Sequence, residues 1–164
     1  MWLTIGLVIV SSVLIEPAKK VSSIPCSGNF FTTDNLGNVY VVQSDNSIEK
    51  FNPKGIRLNL ANYKIKGKVH SMDVSNPFEI YLFYKDLNQV IITDNQLSQL
   101  GEINLNKPEV FQAAAVARSY DNGLWIFDLS DMQLKKYSKD MKLQLQSGNM
   151  RSFTDEIAEP ISIV

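Results

Sequence analysis

The feature of this chain that most constrains its fold is an internal repeat with a period near 42 residues. Tyr40, Tyr81 and Trp125 stand at the same point of three successive apolar segments, 41 and 44 residues apart. The segments that follow open with aliphatic residues spaced by 42 and 44 residues, namely Ile48, Val90 and Leu134. Four short antiparallel strands in a repeat of this length are typical of a β-propeller blade. The sequence therefore predicts an all-β protein of propeller-like blades; an immunoglobulin-like sandwich, the alternative, would not require a repeated register.

The repeat predicts about three blades, each a four-stranded antiparallel sheet. Their expected boundaries lie near residues 28–63, 68–107 and 111–150, with the start of a fourth blade at 159–164. The middle repeat is the clearest, because strands such as Ile80–Tyr84 alternate with turns rich in Asp and Asn. Ala113–Ala115 has a high helix propensity, but its place in the repeat favours a strand. Propellers typically close with about four to eight blades, so we expect an incomplete propeller and a chain that is the front part of a longer protein.

An apolar stretch, Trp2–Ile15, precedes the repeats. It is shorter than the roughly twenty residues of a transmembrane helix, and it suits the apolar region of a signal peptide. We therefore expect residues 1–17 to be a signal peptide or N-terminal apolar segment and residues 18–164 to be the repeat domain. No Lys or Arg precedes the stretch, so a buried first strand is the alternative. The expected location is the periplasm or cell envelope, with no integral membrane span beyond this segment.

The composition excludes several classes of function. Sixteen basic and 17 acidic residues give a formal net charge of -1, whereas nucleic-acid binders usually carry a basic excess. A single histidine, His70, cannot build a multi-histidine metal site. A single cysteine, Cys26, cannot form an internal disulfide, and Pro25 stands where a lipid-anchored cysteine needs a small residue, so we expect a half-buried thiol. We predict no cofactor, no metal and no nucleic-acid partner.

Eight aspartates fall in the predicted turns: Asp34, Asp45, Asp73, Asp86, Asp94, Asp121, Asp128 and Asp131. Loops at one face of a propeller would be able to bring several carboxylates onto a cation, which oxygen ligands suit. Aspartate also caps turns by accepting hydrogen bonds from its own backbone. We predict the capping role, because the sequence contains no Asp-x-Asp-x-Asp-Gly loop.

The aromatic residues of the predicted strands have two interpretations. These residues are Tyr40, Tyr81, Tyr84, Trp125 and Tyr137. One interpretation is a binding face for glycans or peptides, and the other is packing between blades. We predict packing for Tyr40, Tyr81 and Trp125, because these residues recur at one position of the repeat. Tyr84 adjoins the turn at Lys85 and stays a candidate for the surface.

His70 lies beside Ser71 and Asp73, which are residue types of a nucleophilic triad. Strand alternation would place His70 and Ser71 on opposite faces, and the chain lacks a Gly-x-Ser-x-Gly elbow. We therefore expect a strand histidine with one hydrogen bond, and we predict no catalytic residue. A lysine cluster is expected to be a solvated edge that discourages strand pairing: Lys135, Lys136 and Lys139.

The central stretch resembles an uncharacterised group of exported Gram-negative bacterial proteins with propeller-like repeats. The residues that carry the resemblance are 73–78 (DVSNPF), 82–86 (LFYKD) and 91–95 (IITDN), with the turn and strand at 34–40 and the pair Leu124-Trp125. The similarity covers roughly residues 24–145, and its most specific part is the NP…LFYKD segment. The resemblance implies export and a longer chain, but no activity, because that group has none established. More loosely, residues 34–41 and 48–51 are similar to NHL-type propeller repeats.

Together these patterns predict a non-enzymatic binding or scaffold protein of the cell envelope, whose partner is an unknown protein or glycan. Binding would use loops at one end of the blades. The predicted loop surface consists of Tyr84, Lys85, Asp86, Asp121 and Asn122. The alternative is a hydrolase or lyase whose active site is completed by residues beyond Val164, and a third is a purely structural repeat in a larger assembly.

Overall fold

The computed structural model describes residues 23, 27–63, 67–107, 110–152, 160, 162 and 163. Within these ranges the chain forms twelve β-strands and two short 3-10 turns, Lys85–Leu87 and Met150–Ser152. Neither of those turns is long or apolar enough to cross a membrane, and no other helix occurs in the described part. The predicted N-terminal segment and Cys26 lie outside the described residues.

The strands form three four-stranded antiparallel sheets, each made of strands that are consecutive in the chain. Blade 1 contains β1 (Gly28–Thr33), β2 (Val39–Gln43), β3 (Ser47–Phe51) and β4 (Arg57–Asn62). Blade 2 contains β5 (Ser71–Asp73), β6 (Ile80–Tyr84), β7 (Gln89–Thr93) and β8 (Gln99–Asn104). Blade 3 contains β9 (Ala113–Arg118), β10 (Leu124–Asp128), β11 (Gln133–Tyr137) and β12 (Leu143–Gln146). The predicted all-β architecture of four-stranded antiparallel repeats is confirmed, and Ala113–Ala115 is a strand.

The repeat extends to details of register. The pairing between the third and fourth strands of every blade shifts at the same place, between Lys50 and Phe51, between Ile92 and Thr93, and between Lys136 and Tyr137. A bulge of this kind bends the outer strand and increases its twist. The three sheets therefore share one shape, as stacked repeats require.

The loops lie at two ends of the sheets. The turn end holds the loops within strand pairs at 34–38, 52–56, 74–79, 94–98, 119–123 and 138–142. The crossover end holds the loops at 44–46, 85–88 and 129–132 and the connections from β4 to β5 and from β8 to β9. Antiparallel pairing forces this division, because alternate loops must fall at opposite ends of each sheet.

Five loops of the turn end have the same geometry. In each loop, the N–H of the first residue donates to the carbonyl of the fifth residue at 2.8–3.1 Å, and the N–H of the fourth residue donates to the carbonyl of the first. The fourth residue has a positive φ in every case: Gly37, Gly55, Leu97, Asn122 and Met141. Glycine adopts this conformation without a steric cost, whereas Leu97 and Met141 are held in it by the surrounding hydrogen bonds.

Apolar packing joins the blades. Tyr40, Val42 and Ile48 of blade 1 share a buried cluster with Leu82 and Tyr84 of blade 2. On the other face of blade 2, a second cluster joins that sheet to blade 3, and its members include Tyr81, Phe83, Leu124, Ile126 and Tyr137. The predicted inter-blade packing is confirmed for Tyr40 and Tyr81. It is not confirmed for Trp125, which belongs to neither cluster and is half-buried beside Lys136.

Two glycines offer a direct test of the packing of strands within the blades. A Cβ atom at Gly123 would lie 2.2 Å from the carbonyl oxygen of Tyr137, whereas a Cβ at Gly101 would meet nothing within 4 Å. We expect Gly123→Ala to cost about 3 kcal/mol or more of unfolding free energy, because the backbone of the neighbouring strand must move. Gly101→Ala should be neutral or stabilising by up to about 1 kcal/mol, because it removes a flexible residue from a strand. Urea unfolding of both variants measures the difference, and equal midpoints would contradict the tight contact at Gly123.

Candidate binding site

A cleft of about 400 Å³ lies between blades 2 and 3 at the crossover end. One wall is the 3-10 turn Lys85–Leu87 between β6 and β7. The other wall is the segment Phe111-Gln112 that leads into β9. Asn88 lies at the base, and Asn106 closes one side. Two of the sequence-predicted surface residues, Lys85 and Asp86, contribute to this cleft.

Asn88 ties the two walls together. Its backbone is left-handed, with φ 48° and ψ 47°, and its N–H donates to the carbonyl of Lys85 at 3.0 Å. Its side-chain amide donates to Asn106 Oδ1 at 2.9 Å and to the carbonyl of Val110 at 3.0 Å. Its Oδ1 accepts the N–H of Ala113 at 3.1 Å. One buried side chain therefore fixes the end of blade 2 against the entry to blade 3.

Asp128 fixes the second wall from below. The Asp128 carboxylate is fully buried and accepts the N–H groups of Phe111 at 3.3 Å and Gln112 at 3.1 Å. It also accepts the N–H and hydroxyl of Ser130 and the ammonium of Lys135, the last at 2.9 Å. Burial opposes the ionisation of Asp128, but these hydrogen bonds outweigh it and lower the pKa of the carboxyl.

Lys135 is buried between two carboxylates. Its Nζ lies 2.9 Å from Asp128 Oδ2 and 2.6 Å from Asp131 Oδ2. Burial opposes the charge of Lys135, but hydrogen bonds to Asp131 and Asp128 hold its pKa above the ordinary value. The prediction that Lys135 and Lys136 form a solvated edge is therefore wrong, because both are buried and paired with acids. Lys139, in the β11–β12 turn, is exposed.

The cleft exposes a mixed set of groups. The ring of Phe111 is 72% exposed and Leu87 is 43% exposed, beside the charged side chains of Lys85 and Asp86. An apolar centre with charged and amide groups at its edge is the composition of small protein-recognition sites. The hydrogen bonds of Asn88 and Asp128 hold both walls, so the exposed groups are presented in a fixed arrangement.

The structure does not bring the five sequence-predicted surface residues together. Lys85 and Asp86 lie at the crossover end, whereas Asp121 and Asn122 lie in the β9–β10 loop at the turn end. Tyr84 cannot contribute to a surface, because it is fully buried in the cluster between blades 1 and 2. Its hydroxyl has no hydrogen-bond partner among the described residues, and burial raises the pKa of Tyr84. β6 is buried on both faces, so Tyr84 lies in the core although a turn follows it directly.

The β9–β10 loop at the turn end has its own polar structure. Lys136 Nζ lies 2.6 Å from Asp121 Oδ2, and this hydrogen bond lowers the pKa of Asp121 to about 2. The same ammonium lies 5.1 Å from the ring centre of Tyr120 and 5.8 Å from that of Trp125. Tyr120 is 91% exposed. The sequence analysis did not single out Tyr120, because it lies in a turn and outside the repeated aromatic position.

The turn-capping interpretation is confirmed for most of the eight aspartates. Six of the eight accept a backbone N–H two residues on: Asp34, Asp45, Asp73, Asp94, Asp121 and Asp128. In the described ranges, no three His, Cys, Asp or Glu side chains come together as a metal site. His70 precedes β5 instead of lying within a strand, and its ring contacts Phe83 edge-on at 5.7 Å.

Three solved structures have a similar fold. The WD40 repeats of RRP9 match with a TM-score of 0.57 at 12% identity, over 78% of this chain and 40% of theirs. A protein from Bacteroides fragilis that carries the name of an exported protein matches with a TM-score of 0.56 at 15% identity, over 81% of this chain and 40% of its own. A catalytically inactive virginiamycin B lyase from Staphylococcus aureus, with quinupristin, matches with a TM-score of 0.53 at 11% identity, over 72% and 40%.

At these identities the likeness establishes the fold, which is β-propeller-like. The chain spans about 40% of the length of each of these three proteins. No family model matches the chain, and no characterised protein matches it in sequence. The resemblance carried by the NP…LFYKD segment therefore stays a prediction, although both a propeller-like fold and an exported bacterial protein occur among the structural neighbours.

The buried Asp128 predicts a specific dependence of stability on pH. Because the pKa of folded Asp128 is lowered, the unfolded chain binds its proton more readily. The contribution of Asp128 should be complete above about pH 5 and lost as the pH falls below about 4, the ordinary range of aspartate. Asp128→Asn should lower the unfolding free energy at pH 7 by about 3 kcal/mol and flatten its fall in acid.

Urea unfolding between pH 7 and pH 2 measures this effect, with Asp140→Asn as the control, because Asp140 is exposed in the β11–β12 turn. Parallel stability curves for the parent and Asp128→Asn would contradict the role assigned to this carboxylate.

Proposed function

We propose that this protein is a non-enzymatic binding module of the cell envelope, and that it holds an extended segment of a partner protein in the cleft between blades 2 and 3. The observation that carries the proposal is the exposed ring of Phe111, which stands opposite Lys85 and Asp86 on walls fixed by Asn88 and Asp128. A buried aromatic anchor surrounded by polar groups supplies most of the energy in many protein interfaces.

The fixed walls support binding in a second way. Ordering a loop on association costs free energy that must be subtracted from the affinity. In this cleft the cost is already met in the free protein, because Asn88 joins the walls through three side-chain hydrogen bonds. A shallow site of this size is then able to hold a short peptide segment.

A protein partner fits the cleft better than a glycan does. Leu87 and Phe111 offer apolar surface to a side chain, and the exposed Asp86 offers a negative charge beside it. Peptides carry both apolar and basic side chains, whereas neutral sugars carry no charge for Asp86. The envelope location is supported by the apolar N-terminal stretch of the sequence and by an exported protein among the structural neighbours.

A displayed random-peptide library selected on the immobilised protein tests the proposal. Phe111→Ser should weaken binding of the selected peptides by about tenfold or more, because it removes the apolar anchor. Phe78→Ser is the matched control, since Phe78 is 64% exposed but lies in the β5–β6 loop at the turn end. Peptides that bind the Phe111→Ser variant as tightly as the parent, or that depend on Phe78, would place the binding surface elsewhere.

The alternative, an enzyme of the hydrolase or lyase class, is favoured by one observation, the similar fold of virginiamycin B lyase. Incubation of this protein with quinupristin, followed by mass spectrometry, separates the two functions. Our proposal predicts unchanged quinupristin, and its conversion to a product of altered structure would replace a binding function with a catalytic one.

A further inference from the structure

A second cavity, of about 420 Å³, lies where the innermost strands of the three blades converge. β1, β5 and β9 reach it with their last residues, so it opens toward the turn end, away from the cleft that holds Phe111. Its apolar lining includes Met72, Val116, Ala117 and Ile163. Its polar lining includes Thr33, Ser71, Asp73, Ser75 and Arg118.

Asp73 brings a negative charge to this cavity. Its Oδ1 accepts the N–H of Ser75 at 2.9 Å and its Oδ2 accepts the N–H of Arg118 at 2.6 Å. Both donors are neutral backbone groups, and no lysine or arginine of the described residues forms an ion pair with Asp73. A carboxylate has about four lone-pair positions, so Asp73 retains capacity for a further donor.

Arg118 lines the cavity as well, but its guanidinium forms no ion pair with Asp73. The side chain of Arg118 donates to Glu79 Oε2 at 3.5 Å and to Asn122 Oδ1. Its charge is therefore directed to the β5–β6 and β9–β10 loops, and only its backbone N–H bonds to Asp73. The carboxylate of Asp121, also at the turn end, differs because it is paired with Lys136.

We propose that this cavity binds an organic cation, with a primary ammonium group at Asp73 and an alkyl body against Met72, Val116 and Ile163. An ammonium group has three N–H donors, and the hydroxyls of Ser71 and Thr33 are available in the same lining beside the Asp73 carboxylate. A charge-assisted hydrogen bond in a partly apolar cavity is stronger than the same contact in water. A divalent metal ion does not fit, because one carboxylate and a few hydroxyls are too few ligands.

Two probes of equal length test the proposal on the unaltered protein. Hexylammonium carries the charge at neutral pH and hexanol does not, while both offer the same alkyl chain. In amide NMR titrations we expect hexylammonium to shift the signals of Ser71, Met72 and Val116 saturably, with an affinity about tenfold or more above that of hexanol. Equal affinities of the two probes would overturn the proposal, and so would shifts confined to other parts of the chain.

Substitutions then locate the charge. Asp73→Asn keeps one side-chain oxygen, so it retains one of the two hydrogen bonds from the backbone N–H groups of Ser75 and Arg118. It should reduce the affinity for hexylammonium about tenfold while leaving the affinity for hexanol unchanged. Asp94→Asn is the control, because Asp94 also caps a turn at the same end, accepting the N–H groups of Gln96 and Ser98 on its Oδ1, but does not line the cavity. An equal loss in both variants would show a general effect of surface charge and refute the site. The peptide-binding cleft is not involved in either outcome.

Discussion

Every residue of β6 is buried, and this burial on both faces is the constraint on which the rest of the structure depends. Leu82 and Tyr84 face blade 1, while Tyr81 and Phe83 face blade 3. Each large side chain of this kind contributes about 1.5–3 kcal/mol when fully buried. None of that stabilisation is available to blade 2 alone, because a single sheet covers neither of its own faces. The sheets are therefore interdependent, as in other stacked repeats.

Apolar packing does not fix how one sheet is placed against the next, because it has little directionality. Polar contacts across the same boundaries supply the direction. Lys50 reaches from blade 1 to the carbonyl of Asn95 at 2.8 Å, and Asn88 bonds across the boundary between blades 2 and 3. At the turn end, Asp73 accepts the backbone N–H of Arg118. The cleft and the central cavity both lie beside such contacts, so their shapes are set by the same bonds that position the blades.

The repeat, the strands and the capping aspartates could all be predicted from the sequence, because each depends on residues close together in the chain. The role of Lys135 could not, since its partner Asp128 lies seven residues away and meets it only when β10 pairs with β11. Two adjacent lysines normally indicate a solvated surface, and no local pattern shows that one of them pairs with a buried aspartate. The sequence misplaces Tyr84 for a related reason, because the polar residues Lys85 and Asp86 follow it in the chain while its neighbours in space are apolar. The residues of the predicted loop surface lie at two different ends of the sheets. The sequence does not show this separation, because it depends on the directions of the strands, which the sheet order provides.

Each sheet is a meander in which every strand pairs with the next one along the chain. Contacts within a blade are thus local, and closing a short loop costs little chain entropy. In a ribosome-bound chain, the strands of one blade are then able to pair before the next blade has been synthesised. The exposed face of that sheet becomes buried when the next blade packs against it. Proteins dominated by such short-range pairing fold faster than all-β proteins with distant strand partners. The order of the strands, which defines the architecture, also gives this chain a sequential route to it during translation.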